Sequence, residues 1–408
     1  MAIRITNGGV CAAAGFFASG IHCGIRANKA KKDLALIVSS VPAQAAAVYT
    51  TNLVKGAPII VTKEHLQNGV AQAIVCNSGI ANTCCADGVN TAREMARIAA
   101  SELELKEANI IVASTGVIGR PLDLAPIRAG MPALVDALDH RPEASDSASN
   151  AIMTTDTIIK SVAVEFVLDG KICHLGGIAK GSGMIHPNMA TMLVFITTDA
   201  AIAPELLQKA LSGDIQKTFN MLSIDGDTST NDMVVVMANG MAGNPEIVSE
   251  DESYAVFMQA LNTVNVSLCR MIAGDGEGAT RLLECQVSGA ADPAAARTAA
   301  KSVICSSLLK AAMFGADANW GRVMCAIGYS GADVDISKID ISFRSPAGTI
   351  QVCEQGAGVE FSEELAKQIL LEKEIEILVD LNSGSESATA WGCDLTYDYV
   401  KINGDYRT

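Results

Sequence analysis

One segment near the middle of the chain constrains it most: Lys180-Gly181-Ser182-Gly183-Met184-Ile185-His186-Pro187-Asn188-Met189-Ala190-Thr191-Met192-Leu193. Glycines at 177, 181 and 183 and a proline at 187 precede a single threonine, Thr191. An apolar run, Met192-Leu193-Val194-Phe195-Ile196, follows at once. Loop chemistry ends and a buried strand begins, with Thr191 at the junction. A hydroxyl on such an edge can be held rigidly in a pocket. If the Ala190–Thr191 bond were cut, Thr191 would gain a free α-amine. That amine has an ordinary pKa of ~7.7–8.0 and can serve as the base for its own hydroxyl. The same pattern also fits a tight turn into a core strand with no chemistry attached.

The chain is 408 residues long, enough for two or three domains. Hydrophobic residues make up 49% and charged residues 18%, a globular composition; aromatics are only 4%, so Ala, Val, Ile, Leu and Met must fill the core. No stretch approaches the ~18 continuous apolar residues of a membrane span. The soft run from Gly9 to Gly20 imitates a signal peptide only faintly, with Cys23 and Arg26 following and no clear cleavage site. The net charge of −15, without a basic stripe, argues against nucleic acid as a partner. The twelve cysteines are scattered without a CxxC pair, which favours free, mostly buried thiols and a reducing, cytoplasmic location.

The first half alternates strand-like and helix-like segments. Leu34–Val38 and Ala73–Cys76 read as buried strands. Thr91-Ala92-Arg93-Glu94 has capping-box spacing and predicts a helix start. That helix leads into a strand from Asn109 that ends at Thr115-Gly116. Pro126 and Pro132 predict that the next helical pattern is broken into shorter pieces. In the second half, Pro204 to about Met221, Glu252 to Leu261 and Ala294 to Met313 read as helices. Met233–Ala238 reads as a fully buried strand, and Glu374–Leu381 and Cys393–Lys401 as closing strands. Weak boundary candidates are Gly243-Asn244-Pro245 and Gly289-Ala290-Ala291-Asp292-Pro293. Mixed strands and helices in both halves predict α/β or α+β layers.

The segment at 180–193 resembles, at every position, the self-cleavage site of the ornithine acetyltransferase family, the glutamate N-acetyltransferases of arginine biosynthesis. Other stretches fit the family in the same order: Ser114-Thr115-Gly116-Val117-Ile118-Gly119, Ala151-Ile152-Met153-Thr154-Thr155-Asp156, and Ser223-Ile224-Asp225-Gly226-Asp227-Thr228-Ser229-Thr230-Asn231-Asp232. So do Gly274-Asp275-Gly276-Glu277-Gly278-Ala279-Thr280 and the ending Tyr399 to Thr408. The resemblance runs essentially end to end. It implies a sandwich of sheets between helices with smaller α+β lobes. It also implies division by self-cleavage into chains 1–190 and 191–408, which stay together as a heterotetramer of two of each.

Thr191 is the candidate nucleophile and Ala190–Thr191 the candidate cleavage site. Gly181, Gly183 and Pro187 suit a poised turn before that bond. A glycine N–H and a threonine hydroxyl at a strand end can point at one developing oxyanion. The resemblance gives that role to Thr115 and Gly116. It places substrate contacts at Thr154, Lys180, Thr191, Glu277, Asn403 and Thr408. Lys180 suits a carboxylate, and Glu277 the cationic amine of ornithine. On residue type alone, Asp275 and Glu277 are ordinary turn acids and Lys180 a solvated loop lysine. A terminal residue such as Thr408 usually frays. Asp225-Gly226-Asp227 with Asn231-Asp232 lacks the sixth-position glycine and twelfth-position glutamate of a calcium loop and reads as a self-capped acidic loop near the pocket. The five histidines show no metal spacing, so no metal is expected. His186, five residues before Thr191, is the one candidate for a histidine-assisted route, which a free amine would make redundant.

The resemblance implies ping-pong transfer of acetyl from N-acetyl-L-ornithine to L-glutamate, with no cofactor. Acetyl-CoA stays open as a further donor. The alternatives are an amidase or aminopeptidase with the same nucleophile, and a ligand-binding protein whose Ala190–Thr191 bond stays intact.

Overall fold

Every residue of Leu193–Thr198 and of Met233–Ala238 is buried. A strand points alternate side chains to opposite faces, so burial at every position requires cover on both. The computed structural model, which describes residues 3–186 and 192–404, supplies that cover. Ala190, Thr191 and Thr408 lie outside the described residues.

The strands of the first half are β1 (Arg4–Thr6), β2 (Phe16–Ile21), β3 (Leu34–Tyr49), β4 (Val70–Ile80), β5 (Ile110–Val117), β6 (Lys160–Leu168) and β7 (Lys171–Lys180). Then come β8 (Leu193–Thr198), the short β9 (Leu222–Ser223) and β10 (Met233–Ala238). Among the described residues all but β9 form a nine-stranded mixed sheet in the order β1-β6-β7-β8-β10-β3-β4-β5, with β2 also paired to β3. β8 and β10 follow Thr191 in sequence, yet they sit between β7 and β3, which precede it. β7 and β8 run antiparallel with Lys180 opposite Leu193, and β8 and β10 run parallel with Leu193 opposite Met233.

The helices are α1 (Ala57–His65), α2 (Gly88–Glu102), α3 (Ala125–Asp136), α4 (Pro142–Ile152), α5 (Pro204–Ile215) and α6 (Glu252–Gly274). Val194, Ile196, Val234 and Val236 pack towards α5 and α6. The intervening Phe195 and Val235 pack with Phe16 and with Ala148 and Ile152 of α4. Further along the sheet, Leu36, Val75 and Val112 meet α2 and α3 through Met95 and Met131.

The rest of the chain adds α7 (Pro293–Cys305), α8 (Ser307–Phe314), α9 (Trp320–Gly328), α10 (Glu363–Leu370) and α11 (Tyr397–Gly404). Its strands are β11 (Leu282–Ala290), β12 (Asp340–Ser345), β13 (Gly348–Glu354), β14 (Ala357–Gly358), β15 (Glu374–Asp380) and β16 (Glu386–Cys393). With β9 they make a seven-stranded sheet, β14-β13-β12-β15-β11-β16-β9. Here burial alternates: Ile375, Ile377 and Val379 of β15 are buried and the residues between them are not. At β15 one face is covered and the other is wet, while the end of β16, Ala390–Cys393, is buried at every position. The long α6 packs against β6 and β7 of the first sheet and β11 and β16 of the second. No helix among the described residues is long and apolar enough to cross a membrane. All twelve cysteines are free thiols.

Several expectations change. Cys393–Lys401 is not a strand: β16 ends at Cys393 and α11 follows. Asp394 breaks the ladder by accepting the backbone N–H groups of Thr280 and Arg281 at 2.8 and 3.0 Å. The capping box at Thr91 does not form. α2 starts a turn earlier, Thr91 donates its hydroxyl to the Asp87 carbonyl, and Glu94 is held by Arg97 and Arg128. α3 runs unbroken through Pro132, because burial of Ile127, Met131 and Leu134 outweighs an interior proline's cost of about 3 kcal/mol. The helix predicted from Ala294 to Met313 is interrupted at Ser306, whose hydroxyl caps α8. The helix from Glu252 runs well past Leu261, to Gly274. The run from Gly9 to Gly20 enters β2. Gly289–Pro293 is the turn from β11 into α7, capped by Asp292. Gly243-Asn244-Pro245 lies where the chain leaves the first sheet for α6.

Candidate active site

The strand carrying Thr115 and Gly116 does not stop there but continues to Val117. Gly116 pairs in register with Gly79 of β4, and both have positive φ, +130° and +103°. A Cβ on Gly116 would lie 2.3 Å from the Gly79 carbonyl carbon, so only glycine fits. Asn231 clamps this corner, donating from Nδ2 to the carbonyls of Ala81 (2.6 Å) and Ser114 (3.0 Å). Its Oδ1 accepts the hydroxyls of Thr83 and Thr230, each at 2.6 Å. Thr115 is thus held by a partner more than a hundred residues away.

Lys180 ends β7 and lies opposite Leu193 at the start of β8, two residues after the sequence position of Thr191. It is buried, not the solvated loop lysine its residue type suggests. With Thr115, Gly183, Asn231 and Asp232 it lines one cleft. Asp232, at the head of β10, is only 2% exposed. Burial pushes its carboxyl well above the carboxylate range, against the pull of Ser229, Lys180 and Thr50. Its Oδ2 has no hydrogen-bond partner among the described residues.

The loops around this cleft are tied together underneath by a buried ion triad. Lys160 Nζ donates to Asp156 Oδ1 at 2.7 Å and to Asp275 Oδ2 at 2.5 Å. Asp156 also accepts the backbone N–H of Gly181 (2.7 Å) and of Thr154 (2.9 Å). Asp275 accepts the Thr157 N–H and hydroxyl, and its carbonyl accepts the Ser182 hydroxyl. Burial alone would raise the Asp156 carboxyl, but the Lys160 and Lys180 charges hold it well below the ordinary range. Asp275 is therefore no ordinary turn acid; it joins the Thr154 loop to the glycine-rich loop.

Glu277 is also buried, again unlike a turn acid. Its carboxylate lies against Gly183, where a Cβ would come within 2.3 Å of the carboxyl carbon. Asn403 Nδ2 donates to Glu277 Oε2 at 2.7 Å. Asn403 reaches it from α11, which is docked by Thr396 Oγ1 on the Gly278 carbonyl (2.6 Å) and by Tyr399 Oη on Asp225. Asp225 in turn accepts the N–H groups of Met184 and Ile185 at 2.6 and 2.8 Å. The acidic loop thus braces the glycine-rich turn, as a self-capped loop near the pocket should.

Thr154 is not in that cleft. It lines a neighbouring cavity of about 440 Å³ with Arg26, Lys31, Gly79, Gly116 and Arg120. Thr115 and Gly116 stand between the two spaces, one lining each. His186 turns away: its Nδ1 lies 3.0 Å from Ser223 Oγ and 3.6 Å from Cys305 Sγ, in a third cavity with Lys301. Burial, with the Lys301 charge, pushes the imidazole down to about 4.

Lys160 and the roles of Asp156, Asn231 and Asp232 escaped the sequence reading. Lys160 opens a strand-like stretch four residues after Asp156, but only the fold brings Asp275 to the pair. Asn231-Asp232 was visible only as part of a failed calcium pattern.

A layered mixed-sheet fold with a threonine–glycine corner at a strand end, facing a buried lysine and carboxylates, defines a site of the acyl-transfer kind. The chain belongs to the ArgJ family, whose profile matches residues 17–408. It is similar over its whole length to the arginine biosynthesis bifunctional protein ArgJ of Caldanaerobacter subterraneus subsp. tengcongensis, with 50% identity over 100% of both chains. The namesake from Symbiobacterium thermophilum is 52% identical, over 98% of this chain and 99% of the relative. Among solved structures, ornithine acetyltransferase from Mycobacterium tuberculosis, crystallised with ornithine, matches 46% of this chain and 100% of its own at 36% identity and a TM-score of 0.43. The family's members are acyltransferases of arginine biosynthesis, and so is this chain.

Proposed function

We propose that the chain cleaves itself between Ala190 and Thr191 and then passes acetyl from N-acetyl-L-ornithine to L-glutamate through Thr191. The observation that carries this is convergence: Thr115 and Lys180, from distant segments, line the cleft at the entry to β8, which begins two residues after Thr191, and Glu277 packs against Gly183 of the same cleft.

In cleavage, the Thr191 hydroxyl attacks the Ala190 carbonyl, giving an ester that water hydrolyses. The freed α-amine then takes the hydroxyl proton as Thr191 attacks the acetyl carbonyl of N-acetylornithine. The Thr115 hydroxyl and Gly116 N–H stabilise the tetrahedral oxyanion. The protonated amine gives its proton to the departing ornithine nitrogen, leaving acetyl on the threonine oxygen. Glutamate's α-amine attacks that ester, and N-acetylglutamate departs as the hydroxyl is restored. Lys180 takes the α-carboxylate, Glu277 takes the ornithine side-chain ammonium under the hold of Asn403, and Thr154 and Thr408 complete the contacts. Amide is exchanged for amide, so no energy-rich cofactor is required; acetyl-CoA is a second donor to the same ester.

The two fragments would stay joined, since β8 and β10 are hydrogen-bonded between β7 and β3. We place the enzyme in the cytoplasm as a heterotetramer with two copies of each fragment. Two-substrate kinetics test the reaction. Parallel double-reciprocal lines and N-acetylglutamate as product are expected. Intersecting lines would point to direct transfer, and acetate as the sole product to an amidase.

A further inference from the structure

The two amino acids exchanged at this site carry opposite side-chain charges. Glu277, buried and held by Asn403, suits the ornithine ammonium. A glutamate γ-carboxylate in the same place would face a buried like charge, which is strongly unfavourable. One acyl-enzyme that serves both substrates needs a second side-chain subsite.

The cavity on the other side of the Thr115–Gly116 corner has that chemistry. Arg26, Lys31 and Arg120 line it, and no carboxylate does among the described residues. Arg26 is a built part of the wall. Its stem lies against Gly79, where a Cβ would come within 3.0 Å of Arg26 Cγ. Its Nη2 donates to the Met153 carbonyl at 2.7 Å, next to Thr154. The loop that carries it is pinned by the buried Asp33, which accepts the N–H groups of Cys23 (2.6 Å) and Arg26 (3.0 Å). Lys31 Nζ reaches the Thr154 carbonyl at 3.4 Å. Gly116 forms part of the same wall, so the cavity borders the corner where the acyl carbonyl would sit. Its remaining lining includes the apolar Ile25 and Ile80, suited to the methylenes of a short side chain.

We propose, resting on the acetyl-exchange reading, that this cationic cavity is the acceptor subsite, taking the side-chain carboxylate of an acidic amino acid while Glu277 serves the cationic donor. Charge would then sort the two half-reactions onto opposite sides of one oxyanion corner.

Lys31→Glu and Arg120→Glu, singly and together, test this without touching the proposed catalytic groups, since both residues are exposed. The half-reactions are followed separately on the cleaved enzyme. Acetylation by N-acetylornithine should stay within about twofold of wild type, as should discharge by L-ornithine. The KM for L-glutamate should rise about tenfold or more, the loss expected for a charge-assisted hydrogen bond. The preference for glutamate over glutamine should shrink, and Arg120→Lys should restore most of it. An unchanged glutamate KM with normal acetylation overturns the subsite. A rise confined to the KM for acetyl-CoA also overturns it, because the cations would then serve a phosphate tail. If wild-type enzyme takes no acetyl from N-acetylornithine, the reaction itself is misread and the subsite falls with it.

Discussion

The two sheets of this molecule are built to different rules. In the first, consecutive residues of β8 and β10 are buried without alternation, because helices and loops cover both faces. In the second, β15 alternates, and its outer face carries the Arg344–Glu376 ion pair in solvent. The candidate catalytic corner lies at strand ends of the two-faced sheet. The second region contributes through α11, which follows its last strand and carries Asn403 to Glu277. A covered sheet gives a rigid floor for chemistry; a half-wet one tolerates change and lends an arm.

The sharpest way to break that contrast is to place charge on neighbouring residues. Val194→Asp and Phe195→Asp should each prevent folding, since neither side chain has a wet face. In β15, Ile377→Asp should do the same, but Leu378→Thr should cost less than about 1 kcal/mol in a urea melt. Tolerance of either aspartate in β8 would mean that one face of the first sheet is open.

Buried and exposed charges should differ in the same way. Lys160→Met leaves Asp156 and Asp275 facing each other unpaired and should cost roughly 3–5 kcal/mol. Arg344→Met, on the wet face, should cost about 0–1 kcal/mol. Equal losses in denaturant midpoint would contradict the contrast. A smaller effect on stability but a large one on rate is expected at the corner. Thr115→Ala should lower kcat by ~10²–10³ with little change in melting. Full activity would remove Thr115 from the mechanism.

Local signals made much of this legible. The apolar runs of β8 and β10 announced two-faced burial, whereas the positive φ of Gly116 shows only where the fold sets Gly79 beside it. What stayed hidden depends on long-range partners. Cys393–Lys401 contains enough β-favouring residues to read as strand, yet from Tyr397 the chain is a helix with Tyr397 and Val400 exposed. Its position is set by Asp394, Thr396 and Asn403 reaching other loops. Asp275 read as a turn acid because nothing nearby announces Lys160. Pro132 read as a helix break because propensity does not register the buried face of α3. The division of the site into an acidic and a cationic side is likewise invisible in sequence, since Arg26, Arg120 and Thr154 meet only through the ends of β4 and β5.

The smallest effect concerns His186, which links the glycine-rich loop to β9 through Ser223. Its folded pKa, about 4, lies below the ordinary histidine value. Between about 4 and 6.5 the unfolded chain therefore binds more protons, so stability rises with pH across that window and is lost as pH falls through it. His186→Gln should flatten that part of the midpoint-against-pH curve, and its activity should persist. Loss of acetyl transfer with cleavage intact would bring His186 back into the chemistry.

The central claim is that Thr191 becomes an N-terminal nucleophile, and intact-mass measurement tests it most directly. Purified protein should appear as fragments 1–190 and 191–408. Incubation with N-acetyl-L-ornithine alone should add one acetyl group to the second fragment, and L-glutamate should remove it as N-acetylglutamate. Thr191→Ala should remain a single chain. A wild-type chain that stays whole, or a Thr191→Ala chain cut at the same bond, would contradict the account.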